Sequence, residues 1–355
     1  MRFQDAFTAR SLALRLTEDP SNRMPFLGEA FFPVRKKMGI DLKWIKAHKG
    51  LGIELKPSTY DALATIRPRE GFTVLKEEMP LFRESMKVSE QDMIDIQRAA
   101  DVNDPYAQDA LARVYDDVNN LVNGARIASE RMRMSLLAPA AGEMEIQIGL
   151  ADNTIYKYDY DADGAWKATN YLALNSDVTW DKPSACKPLT DIQTAIDALA
   201  DKGYTAQYVM MNNVTLNYLV GADQIKNALF SITGNTIDFI DTATAKEVFQ
   251  RKTGLTPIIY NKKYKKTDGT EAKFYPDNYV TVISDAQLGF LYMGMTPEER
   301  TLMGDPKVDV SIMDSGIAIA IQNIYGPPVR IDTTVSQIAL PSYEGMDGVF
   351  EIKVK

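Results

Sequence analysis

The sequence predicts an α+β protein. Residues 105–137 carry one long helical stripe. Residues 40–88 read as a polar two-stranded excursion with little apolar surface. From residue 190, helical and strand patterns alternate before the chain ends in strands.

The chain has 355 residues, enough for two or three compact units, and 45% of them are hydrophobic, enough for a sizeable core. No apolar run approaches the roughly 18 residues that a membrane-spanning helix requires. The opening "MRFQDAFTARSLALRL" is broken by charge and lacks the apolar stretch and small-residue cleavage site of a signal peptide. The expectation is a soluble protein made in a cytoplasm, with no membrane partner.

A single histidine, His48, and a single cysteine, Cys186, exclude a disulfide framework, a thiolate metal cluster and most nucleophile–base pairs. His48 sits between lysines in "KAHKG" and reads as a solvated loop residue. Cys186, in "SACKP", has no local base and reads as a small apolar filler. No catalytic, cofactor or metal residue is assigned, although the 48 acidic residues leave a carboxylate-only reaction open.

Charge is uneven. Residues 1–50 hold ten Lys/Arg against five Asp/Glu, a net +5 that leaves −13 for the rest of a chain whose total is −8. A basic arm on an acidic body points to a polyanion or an acidic partner surface, or simply to a solvated surface.

Taken in order, "FLGEAFFPVRKK" (26–37) ends an amphipathic run in two rings, a proline and three cations. In "IDLKWIK" (40–46), Ile40, Leu42 and Trp44 alternate with Asp41 and Lys43, as in a half-buried strand. Pro57, Pro68 and three glycines interrupt residues 50–71, and extended patterning resumes over 72–88. An isolated hairpin of this kind is marginal in water, so it is expected to lean on something outside its own chain. Ser89 and Asp92 form a capping-box-like start to a short helix.

Asp104-Pro105 then supplies a cap and a first-turn proline. Leu111, Val114, Val118, Leu121, Ala125, Ala128, Met132 and Leu136 follow at steps of three and four. This spacing predicts a helix over 105–137, about 50 Å long, with one narrow stripe, a strut rather than a member of a bundle. Pro139 and Gly142 end it. "EMEIQIGL" and "TIYKYDY" then predict an antiparallel hairpin over 143–160.

"DYDADG" matches the first half of a calcium loop. However, its twelfth position is Asn170 rather than Glu and a strand precedes it, so an ordinary Asp/Gly turn is the better reading. Thr190 is expected to cap a helix stopped by Gly203, and 206–212 to be a buried strand. A helical stretch then runs through "LNYLVGADQIKNALF", and Thr244 with Glu247 is read as a second capping box. Residues 256–284 read as a hairpin turned at Asp268-Gly269, with "NYVTVIS" as its return strand. No glycine-rich phosphate loop lies at any strand–helix junction. The terminal strand "GVFEIKV" is expected to pair with the 143–160 hairpin.

Several of these stretches, in this order, resemble the lambda gpE-like major capsid proteins of tailed bacteriophages, which have the HK97 fold. "FLGEAFFP" is similar to the family's Phe-Phe-Pro segment ahead of its extended loop. "GIDLKWIKAHKGLGIELKP" resembles the first loop strand, and "PREGFTVLKEEMPLFRESMKVSEQDM" resembles the return strand and the short helix after it. "TWDKPSACKPLTDIQTAIDAL" resembles the family's Trp…Asp-Ile helix start, here Trp180, Asp191 and Ile192.

The resemblance implies an α+β HK97-like fold with an N-terminal arm (1–36) and an extended E-loop (37–85). A spine helix and P-domain (86–185), an α/β A-domain (186–324) and C-terminal strands completing the P-domain (325–355) follow. It implies a major head protein that self-assembles, as hexamers and pentamers, into an icosahedral shell around double-stranded DNA. The chain would then be a virion component assembled in the host cytoplasm. Scaffold, portal and decoration proteins are the implied further partners, with non-specific proximity to DNA.

Phe31 and Phe32 would pack under a neighbouring subunit or on their own spine helix. Pro33 would stiffen the turn, and Arg35, Lys36 and Lys37 would meet acidic surface across a subunit boundary. Trp44, Lys46, Phe72 and Phe82 are the loop's candidate contacts. No local motif assigns a lysine–asparagine crosslink. A nanocompartment shell of the same fold, holding cargo instead of a genome, and a carboxylate-dependent α/β enzyme are the alternatives.

Overall fold

The computed structural model describes residues 26–45, 74–94, 105–149, 155–233, 240–285, 287–302 and 308–355. Of residues 44–45, 74–76, 105–115, 230–233 and 301–302 it describes the backbone alone. The chain divides into two compact units. One comprises 1–42, 76–133 and 290–342, and the other 43–75, 134–289 and 343–355.

The first unit is built on a six-stranded sheet. Its path runs β1 (Val34–Lys36), β13 (Leu291–Met293), β16 (Arg330–Pro341), β15 (Ile317–Ile324) and β14 (Val308–Met313), and β4 (Leu81–Val88) also pairs with β16. The 12-residue β16 can serve three neighbours because they divide its length. It pairs with β15 and β4 along its first part and with β13 at Ala339–Pro341. Helix α2 (Pro105–Leu137) lies on this sheet, with Val118, Leu121 and Val122 packed among Ile317, Ile319, Ile331 and Val335. Its 33 residues span the predicted range.

One feature of that helix differs from the single narrow stripe. Between Ser129 and Leu137, seven of nine side chains are buried, including Glu130 and Arg133, so the apolar seam broadens to most of the circumference. The two buried charges can occupy that stretch because they neutralise each other within it.

The second unit holds a five-stranded sheet in the order β7 (Tyr171–Ala173), β17 (Val349–Lys353), β12 (Tyr279–Ile283), β8 (Tyr208–Met211) and β9 (Thr256–Ile259). Helices α4 (Pro188–Asp201), α5 (Asn213–Gly221), α6 (Asp223–Thr233) and α7 (Thr242–Thr253) accompany it, and α3 (Ala165–Asn170) precedes β7. Its core joins Trp180, Ile192, Leu199, Val209, Phe249 and Ile352. Cys186 is buried in this cluster, where desolvation raises the thiol pKa.

Several expectations are corrected here. The terminal strand β17 does not pair with the predicted hairpin. It inserts between β12 and β7, where Ile352 and Val354 are fully buried, while β5 (Glu145–Gly149) and β6 (Ile155–Asp159) pair only with each other among the described residues. A strand with apolar residues on both faces belongs in the interior of a covered sheet, and β17 has them.

The "NYVTVIS" strand is likewise not a hairpin return. The turn at Gly269 (φ +81°) joins the short strands β10 (Lys263–Lys265) and β11 (Glu271–Lys273), and β12 pairs with β8 and β17. Helix α4 begins at Pro188, two residues before Thr190, because a proline at the first position has its φ preset. The Thr190 hydroxyl instead accepts from Gln224 Nε2 at 3.0 Å. Asp241, not Thr244, caps α7, accepting from the Ala243 and Thr244 amides at 3.2 and 3.4 Å.

The turn chemistry around Asp161 is that of a cap. Its carboxylate accepts from the Trp166 and Lys167 amides at 2.8 and 2.9 Å, and Asp159 and Asp163 each accept one further backbone amide. Ser89 and Asp92 bond reciprocally, at 3.0 Å from the Ser89 amide and 3.2 Å from the Asp92 amide, ahead of helical residues 90–94. The expected cap Asp104 lies outside the described residues.

Candidate assembly surface

The opening motif folds into a single helical turn, α1 (Gly28–Phe31), set against α2. The absence of a side chain at Gly28 permits this approach. A Cβ there would lie 2.5 Å from Glu130 Oε2 and 2.8 Å from Arg133 Cδ. The Gly28 amide donates to Glu130 Oε1 at 2.9 Å, answering one of the unpaired donors of a helix start. Arg133, 1% exposed, lies 3.5 Å from Glu130 and 3.7 Å from Glu29. Burial lowers its pKa and the two carboxylates oppose that shift.

Phe31 and Phe32 are 3% and 0% exposed. Both rings are therefore covered within one chain and have no face left for a second subunit. Pro33 is half-buried and leads into β1, which runs parallel to β13.

The three cations also have partners inside the chain. Arg35 stacks over the Phe290 ring at 4.6 Å, Lys36 pairs with Glu299 at 2.5 Å, and Lys37 lies 5.8 Å from the Tyr292 ring centre. Glu299 adjoins Glu298, which takes Arg83 of β4 at 2.6 Å and the Ser336 hydroxyl of β16 at 2.7 Å. Two adjacent carboxylates, 6% and 9% exposed, thus tie β1, β4 and β16 together. Each is compensated by a cation, as burial of charge requires.

The loop candidates are less gathered. Trp44 lies on β2 (Asp41–Ile45), which pairs with β3 (Val74–Glu78) in a two-stranded sheet of its own, and Leu42 of that strand is fully buried. Ile40, expected on the same face, precedes the strand and is 43% exposed. Lys46 and Phe72 lie outside the described residues. Phe82 is half-buried on β4, opposite Gln337.

β4 is the conspicuous bare element. From Arg83 to Lys87 every side chain is exposed, so both faces of the strand are open there, and among the described residues β4 pairs with β16 alone. Met86 (37%) and Leu81 (42%) are apolar side chains left in water. An open strand edge of this kind is normally blunted or covered. Its alternating Arg83, Glu84 and Lys87 charges blunt it in part.

Sequence reasoning missed Glu130, Arg133, Glu298 and Glu299. For the first pair a signal existed: two opposite charges three residues apart, inside the apolar seam of "ASERMRMSLL". For the second there was none, because only the fold brings Lys36 and Arg83 to residues 298–299.

Among the described residues no cluster of three His, Cys, Asp or Glu is placed to hold a metal, and no helix is long and apolar enough to cross a membrane. No curated protein sequence matches the chain. Among solved structures, a prophage capsid protein described from Escherichia coli CFT073 is similar, with a TM-score of 0.63, 13% identity and coverage of 98% of this chain and 99% of that one. A phage-related protein from Bordetella bronchiseptica RB50 is similar at a TM-score of 0.56 and 15% identity, over 98% and 97% of the two chains. At these identities the likeness speaks for the fold, a mixed α+β HK97-like capsid fold. The pattern of the family described as phage major capsid protein E matches residues 8–315. The chain therefore belongs to the phage major capsid protein E family, whose members are non-enzymatic structural subunits of the virion shell.

Proposed function

We propose that copies of this chain, as hexamers and pentamers, close into the icosahedral wall around a double-stranded DNA genome, with residues 37–85 reaching onto neighbouring subunits. The family match over residues 8–315 is the observation that carries this reading. The bare strand β4 supports the lapping loop, since its open faces need a cover that the described part of the chain does not supply. The separate β2–β3 ladder supports treating 37–85 as an excursion from the body.

In this plan residues 1–36 are the arm and α2 is the spine. The axial A-domain is better drawn to close before Phe290 than at 324, because β13, β14 and β15 join the six-stranded sheet. The last strand is better counted with the five-stranded sheet. An acidic subunit repels packaged DNA, so the wall encloses its genome without gripping it. Scaffold, portal and decoration proteins are the partners this role calls for.

Weak contacts repeated many times suffice, because a closed lattice makes each further contact intramolecular. Electron microscopy of the purified protein across a concentration series tests the proposal. Closed shells are expected; discrete small particles at every concentration would end it.

A further inference from the structure

The β10–β11 ribbon carries an unusual face. Its register sets Lys263 directly opposite Lys273 and Lys265 opposite Glu271, so three cations and one anion share one side, while Tyr264 and Ala272 share the other. Like charges directly opposed across a ladder destabilise it, with Cβ atoms about 5 Å apart. Lys263 finds Glu271 diagonally at 3.1 Å and Lys273 turns to Asp277 at 2.6 Å. Lys265 makes no ion pair among the described residues and, like Lys266 at the turn, is exposed.

The opposite face of the ribbon is packed on aromatic rings. Tyr264 lies 4.7 Å from the Phe274 ring, which Tyr260 flanks at 6.1 Å, and Phe274 is buried. These rings are committed inward. A surface for single-stranded nucleic acid would present its rings for base stacking beside uninterrupted cations. Here the cations are interleaved with Glu271, Asp268 and Asp277 instead. An acidic protein surface fits such a face better, and a second copy is the complementary partner on charge, since the chain beyond residue 50 carries a net −13.

We propose that the outward face of this ribbon, Lys263, Lys265 and Lys273, docks on an acidic surface of a second copy of the chain. The proposal rests on the reading that the chain assembles with itself and adds which surface does so. Assembly of the full chain is followed by sedimentation over a salt series for wild type, Lys263→Glu/Lys265→Glu, Lys265→Gln and Lys263→Arg/Lys265→Arg.

The charge reversal is expected to raise the critical concentration about tenfold or more, the Gln variant less, and the Arg variant not at all. Added salt is expected to weaken wild-type assembly more than that of the reversed variant. The exposed Gln substitution leaves the Lys263–Glu271 pair intact, so it decides the matter if the double reversal fails to fold. Normal assembly of both charge-removing variants overturns the proposal while leaving the shell function standing. The same holds if those variants assemble normally but retain less DNA, which would make the ribbon a nucleic-acid contact. Failure of the wild type to assemble removes both readings.

Discussion

The backbone amide of Gly28 rests on the buried carboxylate of Glu130, 2.9 Å away and 102 residues later in the chain. This contact fixes where the Phe-Phe-Pro segment sits. In an ordinary helical position Gly→Ala would stabilise by roughly 0.5–1 kcal/mol through backbone entropy. At Gly28 the new methyl would fall 2.5 Å from Glu130 Oε2, and the neighbour it meets is itself held by Arg133. Gly28→Ala is therefore expected to destabilise by about 1–3 kcal/mol, the range for overpacking. Urea unfolding of the unassembled protein measures it, and an unchanged or higher midpoint would show that the close approach is not constraining.

Glu130 also balances Arg133, whose guanidinium is 1% exposed. Removing the carboxylate leaves Glu29, itself 56% exposed and 3.7 Å away, as the only other carboxylate recorded near it among the described residues. Breaking a buried pair from one side costs about 3–5 kcal/mol. Glu130→Ala is expected to lose that much in chemical unfolding. Glu130→Ala/Arg133→Met, which removes both charges, should recover part of it. If the double variant is no better than the single one, the pair is not coupled as the distances indicate.

Much of this architecture was legible in the sequence, for identifiable reasons. The long helix could be read because its apolar steps continue without a break from Leu111 to Leu136. The 145–159 hairpin could be read because it alternates. Strand partners were harder. Nothing in "GVFEIKV" says that β17 will lie between β7 and β12, since its apolar residues fit any covered sheet position. The cations 35–37 were legible as a cluster, but their partners were not. Phe290, Tyr292 and Glu299 are more than 250 residues away, and a lone sequence gives no register between such distant segments. Caps failed by a few residues where a proline or an aspartate just upstream did the same job better.

Glu351 makes the stability of the second unit depend on pH. It is fully buried on β17, and neither carboxylate oxygen has a hydrogen-bond partner among the described residues. Burial pushes its pKa well above the usual carboxylate range. In the unfolded chain the group titrates near 4.3. Below that value both states are protonated and the folded state carries no penalty. As pH rises past it, the unfolded state gives up its proton first, so stability falls by up to about 1.4 kcal/mol per pH unit until the folded pKa is reached. Glu351→Gln is expected to remove this slope and to exceed wild type at neutral pH. Parallel stability curves for the two proteins between pH 4 and 8 would show that the carboxyl is not held protonated.

Phe32 and Met86 should separate folding from assembly. The Phe32 ring is fully covered within its own chain, whereas Met86 stands 37% exposed on the bare strand β4. Phe32→Ala leaves a cavity and is expected to cost about 3–5 kcal/mol in the unassembled subunit, with assembly lost only because the subunit unfolds. Met86→Glu alters a side chain that stands in water on a bare strand, so it should change that stability by no more than about 0.5 kcal/mol. If a neighbouring subunit covers β4 in the shell, however, the same substitution places an unpaired charge in the contact and assembly fails in a well-folded protein. Sedimentation paired with thermal melts distinguishes the two kinds of loss. Shells of normal yield from Met86→Glu would mean that β4 stays bare in the particle, and the contacts of the 37–85 loop would have to be sought away from this strand.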